Sequence, residues 1–254
     1  MKIKVLGCSG GIGGPARTTA LLIDDDILID AGTGVADLER RALAAIDHAF
    51  LTHAHLDHIV ALPLLLDSVG PQRRRPLIVH AQAATLEVLR THIFNGQVWP
   101  DFSRLPDEGR PYLAFEELPP GDEVRIDGRR LRSIPVNHAV PAVGYLVSGG
   151  GGALAFSGDT TRTDAFWNAL NAVAELRYLI IETTFVDAQA ELCELAKHLC
   201  PAILAAELSK LQRKPQVYIT HLMPGHEDAI MKEIRHHIAQ PTPLRLRQGQ
   251  TFEL

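Results

Sequence analysis

The sequence predicts an α/β protein in which short apolar strands alternate with amphipathic helices. Apolar runs recur along the chain, turn residues such as Asp127-Gly128 separate several of them into hairpins, and helical spacing fills the longer intervals. The chain has 254 residues, a length compatible with one large domain or two small ones. No linker or internal repeat interrupts it, so we expect a single domain over 1–254.

The predicted strands are apolar runs, or alternations of polar and apolar residues, bounded by turn residues. They cover residues 2–6, 18–23, 27–29, 49–51, 77–80, 123–126, 129–136, 143–147, 153–156, 178–181 and 217–220. Residues 7–14 form a glycine-rich turn that lacks the lysine of a phosphate-binding loop.

The predicted helices have apolar residues at intervals of three and four. They cover residues 35–46, 83–94, 165–176, 188–198, 201–211 and 227–238, and another begins at 59. Residues 95–121 are rich in proline and lack a regular pattern. A loop of this length inside a compact domain is usually a functional lid or is disordered, and its aromatic residues favour a lid.

The composition narrows the classes of partner. The net charge of −5 argues against long nucleic acid, and the basic run at 73–75 is best explained as a solvated loop. Three scattered cysteines are too few for a disulfide framework. The first residues enter a strand without a signal sequence, and no apolar run has the length of a membrane span. We therefore expect a soluble, cytoplasmic protein with no membrane partner.

Residues 52–58, with the sequence Thr-His-Ala-His-Leu-Asp-His, concentrate potential metal ligands. In an extended segment, residues two apart point to the same side, so His53 and His55 can hold one cation together. Asp57 and His58 lie beyond the bend and can reach a second one. Imidazole and carboxylate are the ligands of zinc and similar divalent metals. The alternative is a polar loop that is rich in histidine by chance.

Five residues with metal-binding or acid–base chemistry stand at the ends of predicted strands: His53, His138, Asp159, Glu182 and His221. Strand ends meet along an edge of a sheet, where α/β proteins bind their ligands. A single histidine such as His138 is more often a core or surface residue, but five strands delivering five ligands favour a common site. Asp30 also ends a strand, and it either braces a ligand from outside or serves as a turn or cap residue.

Together these motifs resemble the metallo-β-lactamase superfamily. The resemblance includes the His-x-His-x-Asp-His run, a later single histidine, the aspartate in Ser157-Gly158-Asp159-Thr160 and the final Thr220-His221. It implies an αββα sandwich, in which two mixed β-sheets are flanked by helices, with a site for two divalent metals at the sheet edges. Zinc is the expected metal, although manganese and iron accept the same ligands. The implied ligands are His53, His55 and His138 for one ion, Asp57, His58 and His221 for the other, and Asp159 between them.

A narrower resemblance is to the class II 3′,5′-cyclic nucleotide phosphodiesterases. It is carried by residues 53–59 with Ser68, 92–95 followed by 99–102, 182–185 and 198–201; Cys200 and Ala61 depart from the expected threonine and glycine. The resemblance implies hydrolysis of cAMP or cGMP to a nucleoside 5′-monophosphate. Two divalent metals suit this reaction because they hold the attacking and leaving oxygens of an in-line displacement and acidify a water between them.

Asp57, Glu182 and His198 are the candidate catalytic residues. A carboxylate beside an imidazole favours the imidazolium, which can contact phosphoryl oxygens and protonate the departing 3′-oxygen. His198 also precedes Pro201, so it can sit near a helix N-terminus whose backbone donors favour an anion. Alternatively, His198 caps a helix and Glu182 braces a metal ligand.

Trp99 and Phe102 are candidate substrate-binding residues together with His198. Aromatic faces accept any purine, so we expect one of the two rings near the base. The alternative is that these rings close the core or a subunit contact.

Three other functions share parts of this pattern. A tRNase Z-like RNA 3′-end endonuclease has the same ligands but needs a basic surface to hold RNA. Thioester or lactam hydrolysis, as in glyoxalase II, uses the same fold, but the residues around Glu182 and His198 argue against it. A non-catalytic metal-binding module is disfavoured because every expected ligand is present. The expected partner is therefore a small cyclic nucleotide, and a homodimer is compatible with the sequence.

Overall fold

The first sheet of the structure is mixed and has seven strands. The structure is a computed structural model that describes residues 1–239 and 241–254. In spatial order the strands are β14 (Thr251–Glu253), β1 (Lys2–Gly7), β2 (Ala20–Ile23), β3 (Ile27–Ile29), β4 (His48–Phe50), β5 (Leu77–Ala81) and β6 (Leu113–Glu117). Neighbours from β14 to β3 are antiparallel, and neighbours from β3 to β6 are parallel.

The second sheet repeats this arrangement with the other half of the chain. In spatial order its strands are β13 (Leu244–Arg245), β12 (Gln216–Thr220), β11 (Leu176–Glu182), β10 (Gly152–Phe156), β9 (Val143–Gly149), β8 (Arg129–Pro135) and β7 (Glu123–Ile126). Neighbours from β13 to β10 are parallel, and neighbours from β10 to β7 are antiparallel. The carboxyl ends of the parallel strands therefore lie along one edge of each sheet.

Helices cover the outer faces of both sheets. The α-helices are α1 (Arg40–Ala45), α2 (Leu56–Ile59), α3 (Ala61–Val69), α4 (Ala83–Val88), α5 (Asp164–Asn171), α6 (Ala190–Ala196), α7 (Pro201–Leu208) and α8 (Glu227–His237). Helices α1 to α4 pack on the first sheet, and α5 to α8 pack on the second. A third apolar cluster fills the space between the sheets. These four layers confirm the predicted αββα sandwich.

Strand β11 shows how the sequence builds these layers. Successive side chains of a strand point to opposite faces of the sheet. Leu179 and Ile181 accordingly pack under the outer helices, while Ile180 between them packs in the cluster that separates the sheets. Because both faces are covered, the strand is continuously apolar rather than alternating.

Several predicted elements were wrong in their bounds. The helix predicted over 35–46 is a 3₁₀ turn, Thr33–Asp37, and a separate α1, because Leu38 and Glu39 are extended. The break lets Leu38 pack on the first core together with Val35. Within the predicted irregular segment 95–121, residues of β6 pair with β5 at the sheet edge.

The ends of other predicted helices also differ from the structure. Helix α5 ends at Asn171, and Leu176 already belongs to β11. Helix α6 ends at Ala196, because Lys197 adopts a left-handed conformation, with φ of 55°. The π-helix Leu89–Ile93 continues α4 to nearly its predicted end. In the described residues, every helix is too short or too polar to cross a membrane.

Candidate metal centre

The five predicted strand-end residues meet along the carboxyl edge of the sheets. Strands β10, β11 and β12 are parallel neighbours, so Asp159, Glu182 and His221 emerge side by side. His53 follows β4 in the first sheet, and His138 follows β8 in the second. The site therefore lies where the edges of the two sheets face each other.

The seven predicted ligands come together in the two predicted groups, which share one aspartate. Within each group, one potential ligand atom per residue lies within 4.8 Å of the others. The first group is His53, His55, His138 and Asp159, and the second group is Asp57, His58, Asp159 and His221.

Asp159 is the centre of this arrangement. Its Oδ2 atom lies 3.6 Å from Nε2 of His53, 3.3 Å from Nε2 of His58 and 3.5 Å from Nε2 of His221. Burial opposes its negative charge, but the neighbouring imidazoles of His221 and His58 hold the pKa of Asp159 well below its usual value. An ionised oxygen surrounded by imidazole nitrogens is a donor set that suits divalent cations.

Two buried nitrogens test whether these residues fit metal ions. Nε2 of His53 and Nε2 of His58 are buried and have no hydrogen-bond partner within the described parts of the chain. A buried polar atom without a partner is costly, and a cation at the centre would satisfy both. Burial also lowers the pKa of His53, His55 and His138, which favours the neutral imidazole that a metal requires. The residues therefore fit divalent metal ions.

His58 differs from these three histidines. Burial opposes its positive charge, but the carboxylates of Asp159 and Asp30 outweigh burial and raise the pKa of His58 well above its usual value. Its Nδ1 donates to Asp30 over 2.7 Å. A metal ion bound to Nε2 would supply the positive charge that otherwise comes from the proton on His58, and it would balance the same two carboxylates.

Asp30 braces the site and is not merely a turn residue. It is fully buried, and its carboxylate accepts hydrogen bonds from the backbone N–H of Thr52 at 2.8 Å and from Nδ1 of His58. The Thr52 hydroxyl also donates to Asp30, at 2.9 Å, and lies 3.0 Å from Nδ1 of His53. Such partners orient ligating imidazoles and increase their basicity.

Backbone groups complete the support of the other ligands. Nδ1 of His138 donates to the carbonyl oxygen of Lys197 over 3.0 Å. The backbone N–H of His221 donates to the carbonyl of Cys8. Lys197 and His221, like Asp30, have a positive φ, near 60°. Such backbone conformations are costly for these residue types, and surrounding hydrogen bonds hold them in place.

Glu182 and His198 form the predicted carboxylate–imidazole pair beside the ligand groups. Nδ1 of His198 lies 2.7 Å from Glu182 Oε1. Burial opposes the charge on His198, but Glu182 outweighs it and raises the pKa of His198 to about 9. The His198 ring lies 4.9 Å from that of His138 and stacks at 5.4 Å on that of His221. Glu182 therefore favours the imidazolium form of His198, which lies next to both ligand groups.

One backbone donor at the start of the helix that follows His198 is already occupied. The backbone N–H of Ala202 in the first turn of α7 donates to Asp187 over 2.8 Å. Asp187 therefore occupies one donor at this helix end, and the expectation that its donors favour a substrate anion stays a prediction.

The predicted aromatic contacts lie in the segment after α4. Phe102 is only 6 % exposed, and its ring packs against those of Phe94 and Tyr112 in the first core. Trp99 is partly buried against the same core. This packing favours the alternative that these rings close the core, and their contact with a base stays a prediction.

Sequence reasoning missed Thr52, Thr184 and the Lys197 carbonyl as supports of the ligands. Thr184 lies two positions after Glu182, and in an extended segment this spacing places side chains on one side. That spacing could have identified Thr184. A backbone carbonyl has no residue type, so nothing in the sequence marks Lys197 as the acceptor for His138.

Comparisons with known proteins agree with this geometry. The chain is 26 % identical to a probable 3′,5′-cyclic-nucleotide phosphodiesterase of Yersinia pestis, over 89 % of this chain and 79 % of the relative. It is 24 % identical to a ribonuclease Z of Methanosarcina acetivorans, over 91 % and 90 % of the two chains. The two relatives are similarly distant, so sequence identity leaves the substrate open.

Solved structures share the fold at low identity. Unliganded yeast PDE1 superposes with a TM-score of 0.83 at 18 % identity and covers 100 % of this chain and 99 % of its own. The metallo-β-lactamase fold protein YhfI of Bacillus subtilis has a TM-score of 0.79 at 18 % identity, covering 99 % of both chains.

The family model of the β-lactamase superfamily domain matches residues 25–222, which include every residue of both ligand groups. With this match and the two ligand groups, the protein is a metal-dependent hydrolase of the metallo-β-lactamase fold. The chain belongs to the metallo-β-lactamase superfamily.

Proposed function

We propose that this protein hydrolyses phosphodiester bonds and that its substrate is a 3′,5′-cyclic nucleotide, converted to a nucleoside 5′-monophosphate. One observation carries the proposal: His198, bound to the carboxylate of Glu182 over 2.7 Å, lies beside two ligand groups that share Asp159. A phosphodiester needs these features, because negative charge develops on the phosphoryl oxygens and the leaving oxygen needs a proton.

The proposed cofactor is a pair of divalent ions, one for each ligand group, and zinc suits the imidazole and carboxylate donors. When bound, the ions would supply positive charge for the attacking and leaving oxygens and would acidify a water between them. Manganese or iron could take the same ligands.

His198 has two roles in the proposed reaction. Its imidazolium contacts the phosphoryl oxygens and gives a proton to the departing 3′-oxygen. Glu182 accepts four hydrogen bonds, from the backbone of Thr160 and Leu199, the Thr184 hydroxyl and His198 itself. These four bonds fix the carboxylate in place, so Glu182 orients His198 for the proton transfer.

Asp57 is proposed to orient the attacking water. Burial opposes its charge, but the neighbouring imidazoles of His221 and His58 lower the pKa of Asp57 far below its usual value. Its Oδ2 lies 3.2 Å from Nε2 of His221, and about a third of its side chain is exposed. It is the most exposed residue of the second group.

The principal alternative is a tRNase Z-like RNA 3′-end endonuclease, which the similarity to ribonuclease Z supports. The net charge of −5 favours a small substrate instead, because an anionic surface does not attract a long polyanion. A thioesterase or lactamase of the same fold has less support, since neither needs a charged His198. We also propose that the protein binds a small molecule, lies in the cytoplasm and forms a homodimer.

A panel of 3′,5′- and 2′,3′-cyclic nucleotides, a precursor tRNA and a thioester tests the proposal with metal-loaded protein. We expect hydrolysis of a 3′,5′-cyclic nucleotide, and Asp159→Asn should abolish it in a parallel preparation. Cleavage of the RNA alone would replace the proposal with the endonuclease alternative. Hydrolysis of the thioester alone would reject phosphodiester chemistry altogether.

A further inference from the structure

The hydroxyl of Thr184 connects the Glu182–His198 pair to a ligand of the second group. Its Oγ1 lies 3.0 Å from Oε2 of Glu182 and 2.9 Å from Nδ1 of His221. Glu182, Thr184 and His221 are all at most 4 % exposed. Water therefore has little access to replace any of these hydrogen bonds.

The direction of each hydrogen bond follows from the chemistry of the three groups. An ionised carboxylate only accepts, so the single proton of the Thr184 hydroxyl goes to Glu182. The hydroxyl oxygen must then accept from Nδ1–H of His221. This tautomer leaves the lone pair of His221 on Nε2, the atom that faces Asp57 and Asp159.

The same pattern occurs a second time in the molecule. Asp30 binds Nδ1 of His58 directly, and it reaches Nδ1 of His53 through the hydroxyl of Thr52. Each buried carboxylate thus holds one imidazole directly and another through a threonine. The repetition indicates that the threonine hydroxyl is a built part of the ligand support.

We propose that Thr184 is a positioning residue through which Glu182 fixes the tautomer and orientation of His221, so that one carboxylate both orients His198 and strengthens cation binding by the second group. The inference rests on the proposed binding of two cations. It gives Glu182 two separable effects, one on proton transfer and one on metal affinity.

Thr184→Val tests the inference because it keeps the shape of the side chain and removes the hydroxyl. We expect the affinity of one of two bound Zn²⁺ ions to fall by about 10–100-fold, the usual effect of losing an outer partner of a ligand, while the other ion is unaffected. Competition with a chromophoric chelator measures both affinities without using activity. Thr184→Ser retains the hydroxyl and should restore the affinity.

Thr183→Val is the matched control. Thr183 is equally buried, but its hydroxyl donates to the backbone carbonyl of Glu182 and, among the described residues, bonds no imidazole. We expect this variant to bind both ions as the wild type does. Equal losses in the Thr183 and Thr184 variants, or failure of Thr184→Ser to restore affinity, would overturn the inference.

A second pair of variants keeps the test decisive if Thr184→Val does not fold. Glu182→Gln should weaken the second ion more than His198→Ala does, because Glu182 accepts the Thr184 proton, whereas His198 Nδ1 lies 3.2 Å from that hydroxyl and makes its shorter contact, 2.7 Å, with Glu182. A larger loss of affinity in His198→Ala than in Glu182→Gln would also overturn the inference. Wild-type protein that binds fewer than two ions would instead reject the proposed two-cation site, so the two failures are distinguishable.

Discussion

Within the described residues, the histidines of the metal site contrast with a second, partly buried group, His48 and His80, which does not converge on a metal position. In the site, imidazoles such as His53 and His58 bind a supporting group through Nδ1 and leave Nε2 free towards a common centre. In the other group, His48 and His80 on neighbouring strands bind each other, with Nδ1 of His48 lying 3.0 Å from Nε2 of His80. Clustering alone therefore does not identify a metal site; free nitrogens that converge on one point do.

The surroundings of the two groups differ in charge as well. Two buried carboxylates support the site, whereas the exposed Glu116 is the nearest carboxylate to His80, at 3.4 Å. The His80 ring stacks instead on Phe50 at 4.3 Å. Burial and the neighbouring His48 lower the pKa of His80 to about 4. The pair is thus a neutral part of the core between the sheets.

Removing one histidine from each group should give the largest difference in metal content between the two groups. His58→Ala should lose the second ion and reduce kcat/KM by more than the roughly 10–100-fold typical of an outer partner. His48→Ala, in the other group, should keep both ions. Elemental analysis of protein purified without chelator measures the metal content. A fully active His58→Ala protein would contradict the role of the second group.

His198 lies beside the site without belonging to either ligand group, and its removal should affect turnover alone. His198→Ala should lower kcat by roughly 10²–10⁴-fold, the usual contribution of proton transfer, and keep both ions. The loss should shrink on a p-nitrophenyl phosphodiester, whose leaving group needs no proton. Equal losses on both substrates would exclude the general-acid role and leave His198 as a phosphate contact.

Replacing the carboxylate beside each group with an amide should have a smaller effect, which is measured as a change in metal affinity. Asp30→Asn should weaken cation binding by about 10–100-fold, because the amide cannot match the charge that holds His58. Glu116→Gln, the corresponding change beside His80, should leave metal affinity unchanged. Isothermal titration of apo protein with Zn²⁺ measures both. If the two variants bind metal equally well, the buried carboxylate does not distinguish the groups.

The pair of His48 and His80 should affect the stability of the protein rather than its activity. Because the pKa of His80 is lower in the folded state, the unfolded chain binds more protons below its own pKa near 6.5. Stability should therefore fall as pH decreases from about 6.5 to about 4, and His80 should account for about 2 kcal/mol of that loss at pH 5.

His80→Leu isolates this contribution. Urea unfolding of metal-saturated protein at pH 7 and pH 5 should show a smaller loss of stability in the variant, while kcat/KM at pH 7 stays near the wild-type value. The same pH dependence in both proteins would show that His80 is not the residue that senses acid.

The sequence by itself determined the fold class and the ligand set. Continuous apolar strands such as 178–181 predict burial on both faces, and their ends place chemically active residues on one edge. Four of the seven ligands lie within residues 53–58, where local geometry alone assigns them to two groups. Local periodicity and strand ends are short-range properties, so they can be read without knowing the tertiary structure.

Only the tertiary structure decided the edge strands and the supports of the ligands. Strand β13 has two residues and β14 has three, too few for an alternation to be visible, and their pairing comes from neighbouring strands. Thr184 and His221 are separated by 37 positions, and the Lys197 carbonyl and His138 by 59. Hydrogen bonds between such distant residues depend on how the sheets pack, and a carbonyl acceptor is common to every residue, so no local pattern in the sequence specifies them.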